Sequence, residues 1–273
     1  MLNSVRSVVI TGATRGIGKG LAREFIKRGH NVCFCGRSQK SVDNAYADLV
    51  RDAEENGTKV IGHTCDVSNI KDVQNLWDKA KGVCGQVDIW INNAGVATVP
   101  LMAKIADLDP TDITAVPQTN LIGSINGCHV ALNGMTEQGH GAIYNFEGFG
   151  SNGEKNWGLA VYGSSKYALT YFTQCLVKET KASPVIVGCM SPGIVTTDMI
   201  LGERNRMTPE QWAKTRRIYA ILADDVQTVT PYLVDGVLNN QKHGARIAWL
   251  TKSKVIRRFL ASRFLKRKLP RGL

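Results

Sequence analysis

Tyr162 and Lys166 stand four residues apart in Tyr162-Gly163-Ser164-Ser165-Lys166, and on a helix that spacing puts both side chains on one face. A free phenol has a pKa of about 10, so it releases its proton near neutral pH only where a nearby cation steadies the phenolate. The pair reads as a proton donor with Lys166 as its cation. Any long helix offers some tyrosine and lysine at this spacing, so the reading depends on what surrounds it.

A second chemical feature lies near the N-terminus. The apolar run Ser7-Val8-Val9-Ile10 leads into Thr11-Gly12-Ala13-Thr14-Arg15-Gly16-Ile17-Gly18 and then into a helical pattern through Ile26. Glycines in such a turn let the backbone approach a pyrophosphate, and the amides and dipole of the following helix favour its charge. Gly12, Thr14, Arg15, Gly16, Ile17 and Gly18 are the candidate dinucleotide contacts. Folds that prefer the unphosphorylated cofactor carry a carboxylate at the end of the second strand. Here the chain reads Cys35-Gly36-Arg37-Ser38, with no acid. Arg37, Ser38 and Arg15 are placed to meet a 2′-phosphate, which a planar guanidinium suits. NADPH is the expected cofactor. Two merely solvated arginines would be the plainer reading, but both stand at turns flanking the adenosine site.

Holding these groups together requires a sheet. Apolar runs at 32–35, 60–63, 87–91, 142–146, 185–189 and 246–250 alternate with helix-period segments. That alternation predicts an α/β fold, a Rossmann-type doubly wound parallel sheet in three layers. One catalytic domain is expected over 1–251, followed by a basic amphipathic tail over 252–273. No run approaches the roughly 20 apolar residues that cross a bilayer, and a first strand at Ser7 leaves no room for a targeting peptide ahead of it.

With these motifs in order, the chain resembles the short-chain dehydrogenase/reductases over nearly its whole length. Asn92-Asn93-Ala94-Gly95 resembles the family's segment beside the cofactor, and Asp66-Val67 its adenine-contacting pair. Ser191-Pro192-Gly193-Ile194-Val195-Thr196-Thr197 resembles its nicotinamide-side loop. The resemblance implies cofactor contacts at Asp66, Val67, Asn93, Ala94, Gly95, Pro192, Gly193, Val195 and Thr197. It also implies that Lys166 holds the nicotinamide ribose beside Tyr162, and that Asn120 anchors a water relaying protons. The implied reaction is reduction of a carbonyl, or its reverse, in a dimer or tetramer.

One position departs from the family. Most members carry a serine after the fifth strand, whereas Ile143-Tyr144-Asn145-Phe146-Glu147-Gly148-Phe149-Gly150-Ser151 puts Gly148 in that register. Ser151 is the nearby hydroxyl that a glycine-rich loop could fold inward as a substitute; otherwise it is an ordinary loop residue. The acid-Gly-x-Gly-Ser pattern, with Tyr-Gly-Ser-Ser-Lys and Ser-Pro-Gly-x-Val-Thr-Thr-Asp downstream, resembles the chlorophyll b reductases over about 143–250. These reduce a formyl group on a porphyrin. Substrate identity does not follow from fold; the expected small-molecule partner is a large apolar carbonyl compound, with a lipid, steroid or 3-oxoacyl ketone as the rival to the pigment. The other class is an NADPH-binding regulator without turnover, for which only Gly148 argues.

The remaining chemistry is quieter. Seven scattered cysteines lack metal-ligand spacing and read as reduced thiols of the cytoplasm or another reducing compartment. Neither they nor the histidines predict a metal. Nine of the cations behind the net charge of +11 lie in the tail: Lys252, Lys254, Arg257, Arg258, Arg263, Lys266, Arg267, Lys268 and Arg271. Val255, Ile256, Phe259, Leu260, Phe264 and Leu265 are interleaved with them at helical spacing, as a membrane-surface helix requires. A helix packed on another subunit and a solvated basic tail are the competing readings. No basic face with stacking aromatics exists elsewhere, so nucleic acid is not expected.

Overall fold

The structure is a computed structural model that describes residues 4–262 and 270, apart from 203, 205 and 206. Its strands are β1 (Ser7–Ile10), β2 (Asn31–Gly36), β3 (Val60–Thr64), β4 (Ile89–Asn92), β5 (Gly141–Phe146), β6 (Val185–Ser191), β7 (Val195–Thr196), β8 (Asp224–Asp225) and β9 (Arg246–Ala248). Seven of them form one parallel sheet in the order β3-β2-β1-β4-β5-β6-β9. β7 and β8 pair separately, with Val195 opposite Asp224.

Strands covered on both faces must be apolar throughout rather than alternating. That is why β1 and β4 are buried along their whole length. The helices α1 (Gly16–Lys27), α2 (Gln39–Glu55) and α9 (Val226–Leu238) cover one face. Leu21, Phe25 and Ile26 of α1, Val42 and Leu49 of α2, and Leu233 of α9 belong to that core. On the other face α3 (Ile70–Cys84), α5 (Gly123–Gln138) and α6 (Ala160–Glu179) contribute Leu76, Trp77, Ala131, Met135 and Leu176. The predicted three-layer, doubly wound α/β fold is the fold observed.

The ends of several elements differ from their apolar runs. The fourth strand begins at Ile89 instead of 87, because the Val87 N–H and C=O are both bonded to the Gln138 side chain at 3.1 Å. β9 stops at Ala248 instead of 250; the Trp249 N–H still donates to the Ser191 carbonyl at 2.9 Å, and its indole N–H donates to Asp224 at 2.7 Å. The segment before α5 is also broken. Pro117 closes α4 (Pro110–Pro117), and a π-helical turn, Gln118–Ile122, carries Asn120. Such turns put an extra residue into the helical ladder and recur at functional sites.

Strand order fixes where a ligand can sit. The chain runs outward from β1 through β2 to β3, then returns to place β4 on the other side of β1. At that reversal the loops following β1 and β4 leave adjacent strands at their carboxyl ends, the usual ligand site in open α/β sheets. The remaining helices are α7 (Asp198–Leu201), α8 (Pro209–Leu222) and α10 (Lys252–Ala261). Thr208 opens α8 with a reciprocal capping box with Gln211, and Thr251 caps α10. Among the described residues no helix is long and apolar enough to cross a membrane.

Candidate active site

The glycine-rich turn locks onto the loop after β4. The Thr11 hydroxyl accepts the Asn93 and Ala94 N–H groups at 3.1 and 3.0 Å. The Asn93 Nδ2 donates to the carbonyls of Thr11 and Gly12 at 2.8 and 3.1 Å. Gly12 has φ +63°, and a Cβ there would stand 2.6 Å from Ala94 Cα; a Cβ on Gly18 would stand 2.4 Å from Asn93 Nδ2. Larger residues are therefore excluded by backbone conformation and space at Gly12, and by space at Gly18. Arg15 precedes α1 in extended conformation without a side-chain cap, which leaves the helix-end amides for an anion.

Across the turn, the Ala13 N–H donates to the Cys35 carbonyl at 3.0 Å, and Thr14 packs so tightly over Gly36 that a Cβ there would meet it at 2.4 Å. Arg15, Arg37 and Ser38 are exposed around this corner. Ser38 caps α2 by accepting the Ser41 N–H at 3.3 Å. Asp66 accepts the Ser68 N–H and hydroxyl at 3.0 and 2.8 Å, and Val67 packs against Gly123. Ile17 packs on the core, and Thr197 approaches Gly16 from the loop beyond β6. Gly193, at φ +72°, lies against Leu250 while Pro192 and Val195 are buried. The structure thus brings the predicted cofactor residues from the loops after β1, β2, β3, β4 and β6 to one end of the sheet. A nicotinamide dinucleotide fits this cradle: glycines where side chains would clash, free helix-end amides, and two exposed guanidiniums without a competing acid.

Tyr162 and Lys166 lie on α6 at the same end. Lys166 is 5% exposed, and its ammonium donates to the Phe146 carbonyl at 2.9 Å. A Cβ on Gly148 would fall 2.5 Å from the Tyr162 Oη and 3.2 Å from Lys166 Cε, while one on Gly95 would fall 3.8 Å from Lys166 Nζ. Phenol and lysine therefore converge on Gly148, with the loop after β4 alongside. Burial pushes the Tyr162 phenol up to about 12. Burial likewise pushes the Lys166 ammonium down to about 8, against an opposing pull from Glu147. Near neutral pH the tyrosine keeps its proton, and the lysine stays mainly charged.

Asn120 is fully buried and acts as a clamp. Its Oδ1 accepts the Val96 N–H at 2.8 Å, and its Nδ2 donates to the Val96 carbonyl at 2.9 Å and the Ser165 hydroxyl at 3.1 Å. The carboxamide ties the loop after β4 to the tyrosine helix. Ser151 is folded inward, as a glycine-rich loop allows. Its hydroxyl accepts the Gly148 N–H at 3.1 Å and donates to the Lys166 carbonyl at 3.5 Å, so both bonds brace the loop. Gly148 rather than Ser151 faces the phenol.

Two supporting groups escaped the sequence reading. Asn92 Nδ2 donates to Asn145 Oδ1 at 2.8 Å, and Asn145 Nδ2 donates to the Thr173 hydroxyl at 2.9 Å, which links β4, β5 and α6 through the core. Buried amides inside apolar strands were the available signal, since such groups need partners. The other is Glu147, whose carboxylate pairs with Arg246 at 2.7 Å. Its partner lies 99 residues away in the chain, so spacing could not reveal it.

Over most of its length the chain is similar to known proteins. The short chain dehydrogenase family model matches residues 6–207. A probable chloroplastic chlorophyll(ide) b reductase of Oryza sativa subsp. japonica is 34% identical over 265 residues, 92% of this chain and 51% of that protein. Carbonyl reductase family member 4 of Danio rerio is 32% identical over 197 residues, 72% of this chain and 78% of that one. A solved actinorhodin polyketide ketoreductase with NADPH superposes with TM-score 0.76 at 26% identity, covering 89% of this chain and 96% of that one. The chain spans about half the length of the chlorophyll(ide) b reductase it matches.

The packing around Gly148 can be tested by stability. Gly148→Ala should force the phenol or the lysine stem aside and cost about 1–3 kcal/mol, as overpacking does. Gly163→Ala, one residue past the tyrosine on α6, meets nothing within 4 Å. It should instead be neutral or stabilising by up to about 1 kcal/mol. Thermal unfolding should therefore move in opposite directions for the two variants, and a Gly148→Ala midpoint at or above the parent value would contradict the close contact.

Proposed function

Because the chain belongs to the short-chain dehydrogenase/reductase family of oxidoreductases, we propose that it reduces an aldehyde or ketone on a large apolar molecule to the alcohol, using NADPH. The observation that carries this reading is the meeting of the Tyr162 phenol and the Lys166 stem at Gly148, beside the glycine cradle. The bound cofactor would supply the hydride to the carbonyl carbon. Tyr162 donates its proton to the oxygen as that oxygen gains charge. Lys166 steadies the resulting phenolate and orients the nicotinamide ribose. Asn120 fixes the π-helical turn, whose backbone holds the water through which Tyr162 is reprotonated. Ser151 holds the Gly148 loop against α6 and reaches the substrate oxygen only if that loop rearranges.

An apolar substrate suits the rim. Val99, Phe149 and Trp157 are large apolar residues left exposed on the loops after β4 and β5, and Met199 is exposed on α7. The loops after β4 and β5 touch through the Ala103 N–H and the Gly158 carbonyl at 3.3 Å. A chlorophyll b-like formyl pigment is the sharpest form of the proposal, supported by the similarity to the rice reductase. A lipid, steroid or 3-oxoacyl ketone is the second form; the similarity to the zebrafish carbonyl reductase supports carbonyl reduction without naming the ketone. Arg15 and Arg37 support NADPH over NADH, because no carboxylate stands where a ribose 2′-hydroxyl would be held. Tyr167 and Tyr171, exposed one turn apart on α6, support a dimer or tetramer.

The tail supports contact with a membrane surface in a particular orientation. Arg258 turns inward to ion-pair with Asp224 at 2.8 Å, and Lys254 covers the Trp249 ring at 2.9 Å. Ile256, Phe259 and Leu260 point outward as one stripe, with Lys252 and Arg257 also exposed. Arg263, Phe264, Leu265, Lys266, Arg267, Lys268 and Arg271 lie outside the described residues. Anionic lipid would attract such cations at about 1 kcal/mol each near the surface.

Three experiments test this reading. Tyr162→Phe should leave NADPH affinity nearly intact and lower turnover on a panel of aldehydes and ketones, chlorophyll b included, by about 100-fold or more; a change of only a few fold would remove Tyr162 as the donor. Arg37→Asp should move the ratio of kcat/KM values from NADPH toward NADH, and an unchanged ratio would show that Arg37 does not meet the 2′-phosphate. The full chain should co-sediment with anionic vesicles, less so at high salt, and Phe259→Ser with Leu260→Ser should weaken this without touching the Arg258 pair. Absence of co-sedimentation at low salt would rule the surface contact out.

A further inference from the structure

Glu147 stands at the carboxyl end of β5, between the carbonyl that binds the Lys166 ammonium and the glycine that faces the Tyr162 phenol. It is 9% exposed. Its N–H donates to the Met190 carbonyl at 2.8 Å, which holds the backbone in line with β6. The side chain then reaches across β6 to β9. It accepts Arg246 Nε at 2.9 and 3.1 Å, a second Arg246 nitrogen at 2.7 Å, and the Cys189 thiol at 3.2 Å. Cys189 and Arg246 are register partners on adjacent strands, so the three side chains form one cluster at the sheet end that holds Lys166.

A carboxylate at this depth is costly unless opposite charge faces it. Two cations serve Glu147. Arg246 pairs directly and is half exposed, while Lys166 is buried, has the Phe146 carbonyl as its hydrogen-bond acceptor, and feels the Glu147 charge. We propose that Glu147 is a positioning residue that keeps the buried Lys166 ammonium charged beside Tyr162, with Arg246 setting how much of the Glu147 charge Lys166 feels.

The electrostatics have a definite sign. Burial lowers the Lys166 pKa, and Glu147 raises it. Arg246 draws on the same carboxylate, and its own pKa is raised chiefly by the hydrogen bond to Glu147. The other titratable groups here are Tyr162 on α6 and Cys189 on β6. Both are pushed up to about 12, chiefly by burial, and stay neutral through the working range. Removing the Glu147 charge should therefore make Lys166 lose its proton at lower pH. Removing the Arg246 charge should make it lose its proton at higher pH. A pair that only fastened β9 to β5 would give no such opposition, because breaking it from either side loosens the same strands.

The proposal rests on the reading of Lys166 as the partner of Tyr162, so the test includes a readout independent of turnover. The full chain carrying 13C at the lysine ε-carbon is titrated by NMR without cofactor, the Lys166 signal being identified by its loss in Lys166→Met. Glu147→Gln should shift the midpoint down by about half a pH unit or more, Arg246→Met should shift it up, and Glu147→Asp should restore most of the parental value. The alkaline fall of kcat/KM should move in the same order. Midpoints that do not move, or that move the same way in Glu147→Gln and Arg246→Met, would overturn the proposal. Loss of turnover in Tyr162→Phe would leave the catalytic reading standing even then; opposed NMR shifts with full activity in Tyr162→Phe would sink that reading and keep the electrostatic one.

Discussion

A cation held almost out of water is the constraint on which the rest of this architecture depends. Lys166 is charged, 5% exposed and set at the end of a sheet, where it gives up most of its hydration. Isolated, such a group would shed its proton. It is retained by a carbonyl at the end of β5 and by the carboxylate one residue further on. Both negative groups stand where β5 ends, so β5 must end in register with β6 and α6 must pack at one particular height. The Asn92–Asn145–Thr173 chain enforces that height, since each buried amide finds its partner only when β4, β5 and α6 are aligned.

The same end of the sheet must admit a dinucleotide, and the two demands meet in the loop after β4. Asn93 seals it to the glycine-rich turn, and Asn120 seals it to the tyrosine helix. The glycine-rich turn and the Tyr162–Lys166 pair are thereby held to one loop by two asparagines. Strand order makes this possible: the reversal beside β1 puts the loops after β1 and β4 side by side at the carboxyl end of the sheet.

Asp224 extends that organisation to the C-terminal helix. It pairs in β8 with the loop that follows β6, accepts the Trp249 indole N–H, and binds Arg258 of α10. At 4% exposure it is a buried charge, and removing its partner would cost several kcal/mol, about 3–5 in comparable cases. The basic tail is therefore not a simple appendage after residue 251. Its first turns are fastened through Asp224 to the loop that follows β6, and an outward apolar stripe is the consequence of turning Arg258 inward.

By itself the sequence determined the α/β alternation, the glycine turn, the Tyr162–Lys166 pair and the family, because each is a matter of residue type at short spacing. Helical i,i+4 geometry and the strand–turn–helix pattern are local, so nothing distant is needed to recognise them. It also located the departure at Gly148, by counting along one strand. Only the tertiary structure decided what Gly148 faces, that Ser151 braces the loop, and that Asn120 spends its carboxamide on Val96 and Ser165. Pairings such as Glu147 with Arg246 and Asp224 with Arg258 likewise bring together residues far apart in the chain. The physical reason is that the energy of a buried charge or amide is settled by its neighbours in space, and those neighbours are chosen by strand register and helix packing, which no local spacing encodes.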